Sequence, residues 1–209
     1  MKGLLYKETV ILRKNAGTLL GTIVIIGILF FARENYLSNA FGILCGILCS
    51  MSVVTAIKMD CVSMWDQLVL STPVSRDDVV YSKYLSFLFM GMLGSLVGCV
   101  VTLCMSLFYE SLKLETILQY SIMGVASVIL SGSVILPCAL LLPVEKSELM
   151  MVVSYIFSSA MLSSILEKLI NLTEHLFLCA LLLLGPCAVM YLVSCYISIL
   201  LYRKKEFTS

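Results

Sequence analysis

Six long stretches without any Asp, Glu, Lys or Arg restrict what this chain can fold into more than any other feature. A helix of about 20 apolar residues crosses the hydrocarbon core of a bilayer, and in lipid every backbone polar group must be hydrogen-bonded internally. The stretches lack the alternation of barrel strands. We therefore predict one all-α integral membrane domain over residues 1–209 with six transmembrane helices. The stretches hold 18 to 29 residues each and lie between Lys14 and Arg33, Glu34 and Lys58, Lys83 and Glu110, Glu115 and Glu145, Glu148 and Glu167, and Glu174 and Arg203.

The distribution of positive charge predicts the orientation of these helices. The chain is 60% hydrophobic and 13% charged, whereas soluble domains are about 45–50% apolar and about 25% charged. Six spans put both termini on one side, and Lys and Arg collect on the cytoplasmic side of membrane proteins. We therefore predict a multi-pass protein of the plasma membrane with both termini in the cytoplasm. Three basic residues (Arg33, Lys113, Lys168) fall outside and eleven inside: Lys2, Lys7, Arg13, Lys14, Lys58, Arg76, Lys83, Lys146, Arg203, Lys204 and Lys205.

Two features bear on how the helices are arranged. Residues 1–16 mix leucines and valine with five charged side chains, which predicts an amphipathic interfacial helix on the cytoplasmic leaflet rather than a frayed terminus. Pairs of glycines four residues apart occur in the first, second and third spans. Such pairs allow helices to approach closely, either within one subunit or between two.

The spans lack the groups that most membrane chemistry requires. Without ionisable residues at membrane depth, a proton- or ion-coupled transporter is disfavoured. With His175 as the only histidine, we predict no metal site, and we interpret the nine cysteines as packing residues. No G-x-x-x-x-G-K-[ST] pattern is present, so we predict no ATP site. We expect no catalytic residue, no cofactor and no nucleic-acid partner for this chain.

Serines give the spans a mild polarity. Ser154 and Ser158 share a helix face in the fifth span, and Ser50 lies near the inner end of the second. We predict that these three side chains line a cavity that admits amphipathic cargo. The alternative is that they bond back to their own helix or bridge two helices.

The segment of residues 60–82, between the second and third spans, is polar yet carries the only tryptophan. Cys61, Met64, Trp65 and Leu68 fall at i, i+3, i+4 and i+7, the spacing of one helical face. Lipid head groups, the protein itself or another protein must cover that face. Asp60 and Asp66 lie off it.

The second half of the segment carries helix punctuation. Pro73 cannot continue a helix. Ser75, followed three residues later by Asp78, predicts an N-cap that opens a new helix running into the third span. Arg76 and Asp77 lie in its first turn.

The motifs Trp65-Asp66-Gln67-Leu68, residues 70–76 (LSTPVSR) and Ser82-Lys83-Tyr84-Leu85 resemble the membrane subunits of type-2 ABC exporters. The small six-span bacterial permeases that export phenol-soluble modulins, or that belong to bacteriocin export and immunity systems, are most similar. In larger family members an extracellular helical insert separates spans five and six, and residues 166–175 are too short for one.

The resemblance implies a transmembrane half of an ATP-driven exporter, with ATP and Mg²⁺ on a separate ATPase subunit. The 60–82 segment would contain the coupling helix that docks on the ATPase, and residues 1–16 would be the connecting helix. A second permease half, identical or homologous, membrane lipid and an amphipathic cargo are the other expected partners. A vitamin-uptake capture subunit and a non-transporting immunity protein remain alternatives. The predicted ATPase-coupling residues are Asp60, Cys61, Met64, Trp65, Asp66, Leu68, Arg76 and Asp77.

Overall fold

The computed structural model describes residues 2–32, 37–63, 65, 75–106, 114–142, 144–172 and 176–204, and the secondary structure within these ranges is helical. An all-α fold follows from the sequence, because long apolar segments without alternation satisfy their backbone groups most simply as helices. The six helices are α1 (Lys2–Ala32), α2 (Leu37–Val62), α3 (Arg76–Ser106), α4 (Leu114–Leu141), α5 (Val144–Leu172) and α6 (Leu176–Lys204).

Five of these helices are long and apolar enough to cross a membrane. They are α2 to α6, whose apolar portions run to between 21 and 31 residues. In α1 the corresponding portion is the shorter stretch Gly17–Ile28. The prediction of a multi-pass, all-helical membrane protein is therefore confirmed, while the sixth span, over α1, stays a prediction.

Two helix boundaries differ from those expected. α1 is continuous from Lys2 to Ala32, so the predicted interfacial helix and the first span belong to one helix. α2 continues to Val62, so the 60–82 segment begins inside the second helix. Residues 66–74, which would complete a separate coupling helix, lie outside the described residues. The interfacial and coupling roles of these segments stay predictions.

Close packing of α2 against α3 is the most extensive helix contact in the described part of the chain. A Cβ atom added to Gly98 would lie 2.5 Å from the Cα of Gly42, and one added to Gly94 would lie 2.6 Å from the carbonyl oxygen of Cys45. Only glycine fits such a backbone approach. The predicted glycine pairs of the second and third spans therefore act within one subunit. The pair in the first span differs, because Cβ atoms at Gly17 and Gly21 would meet nothing within 4 Å.

The other helices surround this pair unequally. α4 packs against α2, α3, α5 and α6, while α1 contacts chiefly α2 and only slightly α3. One apolar core joins the ends of α2, α3, α4, α5 and α6 that carry most of the basic residues, and its members include Ile57, Val80, Phe87 and Tyr202. A smaller core lies towards the opposite ends of α2, α4, α5 and α6. The 60–82 segment therefore emerges beside the larger core.

Candidate functional site

The start of α3 follows the capping chemistry predicted from the sequence. The backbone N–H of Asp78 donates to Ser75 Oγ over 3.2 Å, and the N–H of Val79 donates to the Ser75 carbonyl over 3.4 Å. Asp77 and Asp78 lie in the first turn, where negative charge complements the helix dipole. The N-cap and the helix that it opens are confirmed. Residues 76–82 are thus helical and continuous with the third span.

A buried carboxylate lies at the other end of the segment. Asp60, near the end of α2, is 4% exposed. It accepts a hydrogen bond from Lys83 Nζ of α3 at Oδ2 and one from Lys7 Nζ of α1 at Oδ1. The Lys83 side chain is 4% exposed and that of Lys7 20%. One carboxylate therefore joins three helices, while its predicted contact with an ATPase stays a prediction.

Trp65 follows one helical turn after this carboxylate and is half-buried. The ammonium nitrogen of Lys7 lies 4.3 Å from the centroid of a Trp65 ring, a cation–π geometry. The ring also packs against the larger core. Of the three covers left open by the sequence, the protein itself supplies at least part. Lys7 thus contacts both an acidic and an aromatic residue of the 60–82 segment.

A second ionic contact attaches the first turn of α3 to the last turn of α6. Arg203 Nε donates to Asp77 Oδ1 over 2.8 Å, and Arg203 Nη2 donates to Oδ2 of the same carboxylate. Arg76 Nη1 donates to the Arg203 carbonyl over 2.8 Å. Bidentate pairing of this kind fixes orientation as well as distance. The last turn of α6 is therefore held against the first turn of α3.

A buried polar cluster lies further along the same two helices. The Tyr84 hydroxyl is 2.7 Å from Ser198 Oγ and 3.0 Å from Ser194 Oγ. Tyr191 donates to the Tyr84 carbonyl over 2.8 Å, and the two rings meet edge to face with centroids 5.2 Å apart. Ser194 also donates to the carbonyl of Ser133 in α4. These bonds join α3, α4 and α6 immediately after Lys83, the residue that holds Asp60.

The three serines predicted to line a cavity are all buried in the chain. Ser154 donates to the Met150 carbonyl and Ser158 to that of Tyr155. Ser50 bonds to its own helix and lies 2.7 Å from the Tyr155 hydroxyl. Back-bonding and helix bridging are the alternative that the sequence left open. A cavity role for these side chains stays a prediction.

The predicted coupling residues divide into three groups. Asp60, Arg76 and Asp77 form contacts within the chain, as above. Cys61 is half-buried beside Asp60, and Trp65 is partly covered. Met64, Asp66 and Leu68 lie outside the described residues. Sequence reasoning used Lys7, Lys83 and Arg203 for the topology, and Lys83 as part of a family motif, but it did not predict their ionic partners, which are 23 to 126 positions away. The presence of these residues among few charges in an apolar chain was the one available signal.

Comparison with known proteins identifies the family. A family model described as ABC-2 family transporter protein matches residues 3–203. The chain belongs to this family. Neither a curated protein nor a solved structure matches it.

Membership of the ABC-2 family confirms the resemblance to type-2 ABC permeases. Members of this family are membrane components of transporters, and ABC permeases generally work with an ABC ATPase rather than catalysing a reaction themselves. Together with the five apolar helices, this makes the chain a multi-pass transporter permease. The clustered contacts of Asp60, Trp65 and Asp77 lie at one end of that permease.

Proposed function

We propose that this ABC-2 permease is the transmembrane half of an ATP-driven exporter. Hydrolysis would occur on a separate ATPase subunit, and two permease halves would form the transport path with two ATPase chains. The observation that carries the proposal is the family match over residues 3–203. It extends across the whole 60–82 segment and all six helices, so it covers the element to which the resemblance assigns coupling.

The structure suggests how ATPase docking at the 60–82 segment would reach the membrane. The segment begins in α2, which holds α1 and α3 through Asp60. It ends in α3, whose first turn is attached to α6 through Asp77 and Arg203. A displacement of the segment would therefore act on four helices. In this proposal the docking surface comprises the predicted coupling residues, and Asp60 also holds α1 and α3 inside the permease. These coupling residues are Asp60, Cys61, Met64, Trp65, Asp66, Leu68, Arg76 and Asp77.

The proposed cargo is an amphipathic or hydrophobic molecule, and a peptide is one such molecule. The six apolar stretches carry hydroxyl groups but no Asp, Glu, Lys or Arg, which suits a cargo with a large apolar surface. The permease would act in the plasma membrane with both termini in the cytoplasm, as the distribution of Lys and Arg suggests.

Copurification and transport test the proposal together. The permease would be coexpressed with each ABC ATPase subunit of its source organism in turn, purified through a tag on the permease, and reconstituted in liposomes with outward-facing ATPase domains. We expect stoichiometric ATPase recovery and ATP-dependent accumulation of a fluorescent amphipathic peptide inside the liposomes. ATPase recovery without any ATP-dependent flux across a panel of amphipathic peptides and lipids would favour the immunity role. No ATPase recovery would refute the proposal.

Trp65→Ala tests the docking surface itself. Truncation of a tryptophan anchor costs about 2 kcal/mol or more in association, which lowers ATPase recovery at limiting concentration. Phe157→Ala is a matched control, because Phe157 is an aromatic residue exposed on α5. Equal ATPase recovery by the two variants would remove Trp65 from the docking surface.

A further inference from the structure

We propose that Lys7 is a positioning residue for the 60–82 segment. By contacting Asp60 and Trp65 together, its ammonium group fixes the N-terminal helix at the point where the segment leaves α2. The consequence for transport rests on the function proposed above, whereas the geometry stands without it.

The Lys7 ammonium group contacts two residues of the 60–82 segment at once. The same nitrogen donates to Asp60 Oδ1 and lies 4.3 Å from the Trp65 ring centroid. The Lys7 ammonium group is a compact charge at the end of a flexible stem. It can contact Asp60 and Trp65 at the same time only when these two side chains lie close together. Its position therefore depends on how α1, the end of α2 and Trp65 are arranged relative to one another.

The two lysines that bond to Asp60 differ in burial and in how closely their helices pack. Lys83 is buried, and its helix packs closely along α2, so its bond to Asp60 reinforces an existing interface. Lys7 is 20% exposed, and α1 contacts α3 only slightly. Towards its opposite end, α1 packs against Phe41 of α2. A Cβ atom added at Gly27 of α1 would lie 3.5 Å from the Phe41 ring. The Lys7 contact is thus the ionic link of α1 to the 60–82 segment among the described residues.

A displacement of Trp65 by an ATPase would therefore pull on Lys7, and through it on α1. Without the ammonium group, the segment could still dock, but α1 would no longer follow it. Docking and coupling are thus distinct effects. Loss of Lys7 should lower the transport per hydrolysed ATP more than it lowers ATPase binding.

Fluorescence tests the geometry directly, because Trp65 is the only tryptophan in the chain. In the full-length permease in lipid vesicles, Lys7→Met should remove the ammonium group from the ring face and raise the acrylamide quenching constant. Lys7→Arg keeps a cation over the ring and should retain the wild-type value. Arg13→Met, which removes a charge from an exposed position on the same helix, is the control and should not change it. Equal quenching of the wild type and Lys7→Met would overturn the assigned contact.

The second measurement uses the reconstituted permease–ATPase complex. Lys7→Met should bind the ATPase as the wild type does and lower the ratio of cargo moved to ATP hydrolysed, because it loses the contacts with both Asp60 and Trp65. Lys7→Arg should restore the ratio. A proportional loss of ATPase binding and flux, or an unchanged ratio, would overturn the coupling role. If no ATPase binds the wild type, the proposed function fails, and the fluorescence result still decides the geometry.

Discussion

Replacing Asp60 by asparagine tests the most buried ionic contact that the structure shows. The asparagine side chain has nearly the same shape, so packing is preserved while the negative charge is removed. Lys83, with 4% of its side chain exposed, then loses the carboxylate that holds it. Removing one partner of a buried ion pair costs about 3–5 kcal/mol, because the remaining charge stays desolvated. We expect a loss of that size in the free energy of unfolding of Asp60→Asn.

A matched control comes from the ion pair between Lys58 and Glu148. The two atoms are 3.1 Å apart, but 61% of the Glu148 side chain is exposed. Exposed pairs contribute about 0.2–1 kcal/mol, so Glu148→Gln should change stability little. A double variant, Asp60→Leu with Lys83→Met, should be more stable than Asp60→Leu alone, since replacing a whole buried pair by apolar residues is often neutral.

Equilibrium SDS titration of the purified permease, followed by circular dichroism, measures these differences. We expect the free energy of unfolding to be highest for the wild type and Glu148→Gln, lower for the double variant, and lowest for Asp60→Leu. If Asp60→Asn unfolds at the same SDS fraction as Glu148→Gln, the buried carboxylate does not contribute as the structure indicates. If the double variant is as unstable as Asp60→Leu, the loss comes from packing rather than from charge.

Three further predictions concern packing, the polar cluster and orientation. Gly98→Ala should destabilise the permease by about 1–3 kcal/mol, because the new Cβ atom would lie 2.5 Å from a backbone atom of α2. Thermal melting measures this loss, with Gly21→Ala as the control because no atom lies within 4 Å of a Cβ there. Equal melting points of the two variants would contradict the prediction. Tyr84→Phe removes the hydroxyl bonded to two serines and should cost about 0.6–1.7 kcal/mol in the same assay, with an unchanged melting point as the contrary result. A cysteine at Gln67 in a cysteine-free background should react with an impermeant maleimide only in inverted vesicles; this position leaves the Ser75 cap intact, and labelling of intact cells would reverse the predicted topology.

The features that the sequence predicted correctly depend on neighbouring residues. A span needs only an uninterrupted apolar run, and the cap at Ser75 needs only a serine and a backbone N–H three residues later. Close approach at Gly94 and Gly98 likewise follows from missing side chains. Each of these features is caused by residues that lie close together in the chain, so it can be recognised from the sequence.

The contacts of the candidate site depend on positions far apart in the chain. Lys7 and Asp60 are 53 positions apart, and Asp77 and Arg203 are 126 apart. The sequence placed both members of each pair on the cytoplasmic side, but many combinations of basic and acidic residues were possible there. Helix packing selects among them, and packing is set by the shapes of whole helix faces. For the same reason the sequence could not show that Ser50 lies beside the hydroxyl of Tyr155.

The close glycine packing of α2 and α3 has a consequence for biogenesis. These helices are consecutive, and their glycine surfaces and the Asp60–Lys83 bond are complete within residues 37–106. A helical hairpin can therefore assemble as soon as α3 leaves the translocon, before α5 and α6 have entered the bilayer. When these later helices enter the bilayer, they meet a surface that is already formed and whose Asp60 and Lys83 side chains are already paired.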